Sequence, residues 1–164
     1  MGGNDNLNRS KKMDFKFNDG GRKEAGFDGT TGDCVVRSIA IAMNIPYKEV
    51  YDDMNLFIKS LRQGRHIKSS SSRTGIAKTV SRRYITERLG WVWVPTMTIG
   101  SGCKVHLKAD ELPKGRIICK VSKHLVAVID GEIQDTHDCT RNGTRCVYGY
   151  YFNKWTQMSK IPEK

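Results

Sequence analysis

The sequence predicts an α+β protein, and three observations carry that expectation. Apolar residues recur at helical spacing between Cys34 and Leu89. After Gly90 the period drops to two, giving a series of short strand-like runs. Asp130-Gly131 separates two of those runs, the arrangement of a two-residue type I′ hairpin turn. Helices followed by a meandering sheet make an α+β domain.

The helices are justified in order. Gly32 or Asp33 is suited to cap a first helix running to about Asn44. Its sequence, CVVRSIAIAM, is apolar almost all round, which marks a central, buried helix. Pro46 suits the first turn of a second helix, which ends near Ser60 and repeats Val50, Tyr51, Met54, Phe57, Ile58 and Leu61 along one face. Thr74 or Gly75 is expected to open a third helix through Ile76, Val80, Tyr84, Ile85 and Leu89, closed by Gly90. The strands are expected over 91–94, 104–107, 116–121, 124–129, 132–136 and 145–152.

The chain has 164 residues, enough to fold as one domain with its own core. Residues 1–25 read as a flexible basic and polar tail, in which Phe15 and Phe17 alternate as a short edge strand would. Residues 26–164 are expected to form the domain. No apolar run approaches the roughly 20 residues of a membrane span, and the N-terminus lacks the apolar core of a secretory signal, so a cytoplasmic location is expected. The five cysteines are odd in number and form no C-x-x-C pair, which points to a reduced protein without disulfides. The net charge of +11 favours acidic partners: nucleic acid, an anionic membrane surface or an acidic protein. Residues 62–73 form a basic, serine-rich loop whose Arg62, Arg65, Lys68 and Arg73 are the cations best placed for such a partner. That loop has no interleaved aromatics, so base stacking is not indicated.

The hairpin turn fixes register, and register gathers chemistry. With Asp130-Gly131 as the turn, Ile129 faces Glu132, Val126 faces Asp135 and His124 faces His137. His124, Asp135 and His137 then share one face, with Asp135 diagonal to His124 and able to orient its imidazole. Cys34 stands at a helix start, where the partial positive charge favours the thiolate. A thiol, an imidazole and an orienting acid are the parts of a cysteine nucleophile site. Whether His137 is the base itself or only shields the pair is left open by the pattern. A zinc site built from His124, Asp135, His137, Cys139 and Cys146 is disfavoured, because the spacing matches none of the usual ligand pairs. Neither a metal nor a cofactor is expected.

The segments GDCVVRSIAIAMNIPYKEVY and LPKGRIICKVSKHLVAVIDGEIQDTHD together resemble papain-like cysteine peptidases of the compact bacterial and phage type, similar to bacteriocin-leader peptidase domains. The likeness runs from about Gly26 to Tyr151. It implies a papain-like fold, a protein or peptide substrate and a catalytic set of Cys34 as nucleophile, His124 as base and acid, and Asp135 as orienting group. It also implies a phage or mobile-element protein. Such families usually supply an oxyanion-hole glutamine before the cysteine, and here Asp28 stands at that position; an anion there cannot stabilise an oxyanion. The Cys34 backbone N–H, with Thr30 or Thr31 through a hydroxyl, is the expected substitute. The residue after Cys34 is Val, where relatives commonly carry Gly or Trp. Amide hydrolysis, deamidation and acyl transfer all use this apparatus. The competing expectation is an inactive scaffold of the same fold that binds acidic partners through its basic surface.

Overall fold

A computed structural model describes residues 13–28, 32–62, 71–73 and 75–154. The elements follow in the order β1 (Asp14–Phe17), α1 (Cys34–Met43), α2 (Tyr47–Arg62), α3 (Lys78–Arg83), a π-helical turn (Tyr84–Arg88), β2 (Val92–Pro95), β3 (Arg116–Val121), β4 (His124–Ile129), β5 (Glu132–Asp135) and β6 (Gly149–Phe152). The strands form one six-stranded sheet in the order β1-β5-β4-β3-β6-β2. All neighbours are antiparallel except β1, which runs parallel to β5. The molecule is therefore α+β, as the change of period predicts.

Alternation along the central strands divides the core into two layers. Ile118, Leu125, Ala127 and Tyr151 face α1, α2 and the third helix. Ile117, Cys119, Val126, Val128 and Ile133 face the other way, onto Leu107, Leu112, Cys139 and Val147 of the long loops. A sheet covered on both faces explains why β3 and β4 are nearly continuous apolar runs. α1 lies between the sheet and α2 and buries Val35, Val36, Ile39, Ala40, Ile41 and Ala42. Asn44 ends it in the left-handed conformation at φ 54°, returning its N–H to the Ala40 and Ile41 carbonyls.

Two tight turns hold β4. Asp130 and Gly131 both have positive φ, 49° and 80°, as a type I′ turn requires. The pairs Ile129↔Glu132, Val128↔Ile133 and Ala127↔Gln134 follow the predicted register. At the other end Val121 pairs with His124 across Ser122-Lys123, with Lys123 at φ 55°. The Arg145 guanidinium donates to the Ser122 carbonyl at 2.5 Å and pins that turn.

The structure corrects several expectations. Residues 13–25 are not a loose tail: Met13 is buried, β1 pairs with β5, and the turn after it packs against α1. Residues 1–12 lie outside the described residues. The third helix begins at Lys78 rather than at Thr74 or Gly75, and its last turn widens to π geometry before Gly90. The run at 104–107 makes only a single bridge, His106↔Cys146, and the strand expected over 145–152 is regular only from Gly149. Cys103 and Cys146 form a disulfide with a Cα separation of 5.8 Å, against the expectation of five free thiols. The cause is local. Hydrogen bonds from Leu107 to Arg145 and from Val147 to Val105 draw two distant loops side by side. Cys34, Cys119 and Cys139 remain free. Among the described residues no helix is long and apolar enough to cross a membrane.

Candidate active site

Three elements deliver the three expected groups. Cys34 is the first residue of α1, His124 the first of β4 and Asp135 the last of β5. Alternation puts His124 on the Val126 side of the sheet, but it stands at the strand's end beside a tight turn. There its ring reaches both Cys34, from the helical layer, and Cys139, from the opposite layer. Its Nε2 lies 2.6 Å from Asp135 Oδ2. That bond leaves Nδ1 as the ring nitrogen for the thiol.

The Asp135 carboxylate is saturated. Its Oδ1 accepts from Arg37 Nη2 at 3.0 Å and from the Thr136 N–H at 2.7 Å, while Oδ2 faces His124. Arg37 is buried, and its second nitrogen donates to Asp33 Oδ1 at 2.5 Å. Asp33, fully buried, also accepts from Tyr47 Oη at 2.6 Å and from Arg22 at 3.3 Å. A chain of alternating charge thus runs from Arg22 through Asp33, Arg37 and Asp135 to His124. Buried charges are tolerated only when paired and hydrogen-bonded, and each of these is. The N-terminal strand closes over the acid: Phe17 pairs with Asp135, and the Asn18 N–H donates to the Asp135 carbonyl at 2.9 Å.

The charges set the protonation states. Burial would raise the Cys34 thiol above its ordinary value. The His124 hydrogen bond, the Leu125 backbone N–H and the charges of His124 and Arg37 outweigh it, and the net shift is downward. Burial would lower the His124 imidazole, but hydrogen bonds with Asp135, Cys139 and Cys34 push it up to about 11. Burial would raise Asp135, and its bonds to His124 and the Thr136 N–H, with the Arg37 charge, bring it down instead. A lowered thiol beside a raised imidazole favours the thiolate–imidazolium pair.

The remaining expected residues divide. His137 does not pair with His124 in the ladder, because β5 ends at Asp135; its exposed ring sits 5.4 Å from that of His124, as a cover rather than a strand partner. Thr30 and Thr31 lie outside the described residues, as do Arg65, Lys68 and the side chain of Arg62. Arg73 is engaged with its own chain, donating to the Asp28 carbonyl at 2.9 Å with its guanidinium 5.8 Å from the Phe27 ring centre. Asp33 occupies the cap position of α1, but its side chain caps nothing there. Its oxygens go to Arg37, Tyr47 and Arg22. His124, Asp135 and His137 each offer a donor atom within 4.8 Å of the others, so a metal ion is sterically conceivable. It would compete with the Arg37 and Thr136 bonds on Asp135, and Cys146, in its disulfide, cannot join the set.

Sequence reasoning missed Arg37 and Tyr47 and took Asp33 only for a helix cap. The signal was present: one arginine in an otherwise apolar helix, four residues after an aspartate, needs an anionic partner wherever it is buried. No family model, no curated protein and no solved structure matches this chain.

Proposed function

We propose that the protein is a papain-like thiol hydrolase that cleaves an amide or isopeptide bond of a protein or peptide. The observation that carries this reading is the convergence of Cys34, His124 and Asp135 at one end of the sheet, with the thiol's proton affinity lowered and the imidazole's raised. The Cys34 thiolate attacks the carbonyl carbon. The C–N bond breaks as the His124 imidazolium gives its proton to the leaving amine, and a thioester forms. Water, deprotonated by His124, then attacks the thioester; the acid departs and the thiolate–imidazolium pair is restored. An amine in place of water gives acyl transfer, and a primary amide substrate gives deamidation.

The diverted side chain of Asp33 supports the oxyanion step. N–H groups in the first turn of a helix lack partners within the helix, and Asp33 leaves those of α1 uncapped. Among the described residues no side chain caps the Cys34 N–H, which is left to meet the developing oxyanion. This donor takes the place of the glutamine that Asp28 replaces. The working compartment is proposed to be the cytoplasm. Glutathione there would hold Cys103 and Cys146 reduced, and the catalytic set contains neither.

An epoxysuccinyl peptide probe tests the assignment. It is expected to modify one residue, Cys34, and to leave Cys34→Ala unlabelled while peptide hydrolysis by that variant disappears. Labelling of Cys139 or Cys119 with Cys34 inert, or hydrolysis that survives in Cys34→Ala, overturns it.

A further inference from the structure

Among the described residues, one cation beside the nucleophile has no acid to answer it. Lys120 lies in β3, paired with Leu125 of β4 on one side and Gly149 of β6 on the other. Directly opposed residues share a face of the sheet. Leu125 belongs to the helical layer, so Lys120 projects into that layer as well. Leu125 is also the residue whose backbone N–H bonds to the Cys34 thiol. Lys120 is therefore the cross-strand neighbour of a group that touches the reacting sulfur. It is half-buried, and among the described residues the charged groups that act on it are Cys34 and Lys78, neither a carboxylate.

The wall beyond it is aromatic and basic. Gly149 faces the same layer, and a Cβ there would lie 2.3 Å from the tip of the Trp93 indole. The ring thus lies directly over the glycine next to Lys120. Trp93 is half-buried, with the exposed Arg82 guanidinium 5.6 Å from its ring centre. Lys78 and Arg82 come from the same helix, α3.

We propose that Lys120, backed by Lys78 and flanked by the Trp93 indole, forms an anion-recognition subsite beside Cys34, so that the preferred substrate carries an acidic side chain, Asp or Glu, next to the bond attacked. The inference rests on the thiol hydrolase reading. A half-buried ammonium without a carboxylate partner is costly in the free protein. A substrate carboxylate completes the pair and displaces little water, because the indole already covers one side.

The test compares alkylation of Cys34 by iodoacetate and by iodoacetamide, followed by mass spectrometry. Both reagents need the same thiolate, so the ratio of their rates cancels changes in thiolate fraction and reads the local preference for an anion. The ratio is expected to fall about fivefold or more in Lys120→Gln, as the loss of one nearby charge implies. Lys120→Met, which keeps the apolar stem, is expected to fall alike, Lys120→Arg to hold, and Lys78→Gln to fall by less. Iodoacetamide rates measured above the thiol midpoint, where the thiolate is fully formed, verify the site's integrity in the variants. Peptides differing only in Glu against Gln beside the cleaved bond are expected to show a higher kcat/KM for Glu. A ratio unchanged in both Lys120→Gln and Lys120→Met, or a preference for Gln, overturns the subsite while leaving the nucleophile intact. Alkylation of Cys34 by neither reagent overturns the hydrolase reading and the subsite together.

Discussion

Arg37 carries a buried charge between two buried carboxylates, Asp33 and Asp135. Removing one member of such a set leaves the others uncompensated, at a cost of about 3–5 kcal/mol. Arg37→Met is therefore expected to lose about that much stability in urea unfolding at neutral pH, and a loss below about 1 kcal/mol would show that water already serves these carboxylates. The pH dependence follows from the same residues. Asp135 is depressed in the folded state, so its contribution is present above the ordinary carboxylate value of 3.8 and is lost as the pH falls through the folded value. His124 is raised, so its contribution is complete below the ordinary imidazole value of 6.5 and is lost as the pH climbs through the folded value of about 11. Urea midpoints of the wild type should fall at both extremes. His124→Ala should flatten the alkaline fall, and an alkaline fall that persists unchanged in that variant would assign it to other groups.

At the scale of elements, β6 must pass Gly149 beneath Trp93. An alanine methyl there meets the indole at 2.3 and 2.4 Å and the Val94 carbonyl at 2.7 Å, and overpacking of this kind costs about 1–3 kcal/mol. Gly149→Ala should lower the thermal midpoint and perturb Trp fluorescence; unchanged values would mean that β2 yields freely. The hairpin of β4 and β5 was legible because its turn is encoded by two adjacent residues whose φ requirements are nearly unique. The edge strand β1 was hinted at by Phe15 and Phe17 alone, because its parallel pairing with β5 joins segments more than 115 residues apart and no local turn records it. Asp33 was misread for the opposite reason. Its local pattern matches a cap, and tertiary partners claimed its side chain instead.

For the molecule as a whole, the two-layer core follows from composition and period, whereas the cross-link between Cys103 and Cys146 depends on loop conformation, which period does not encode. With a sequence separation of 43, the disulfide is expected to contribute about 2–4 kcal/mol. Titration of the denatured, unreduced protein should find three thiols rather than five, and mild reduction should lower the thermal midpoint without abolishing Cys34 reactivity. Five thiols in protein purified under oxidising conditions would remove the cross-link from the account. The constellation of Cys34, His124 and Asp135 was legible because one hairpin turn and one helix start place its members. The buried charges behind them, which hold the acid in place, were not.

The rate of Cys34 alkylation by iodoacetamide, followed against pH in the wild type and in His124→Ala, tests the central claim most directly. The account predicts a wild-type midpoint below the ordinary thiol value of 9.0 and a shift upward in the variant. A midpoint at or above 9.0 in the wild type, unmoved by loss of the imidazole, would contradict it.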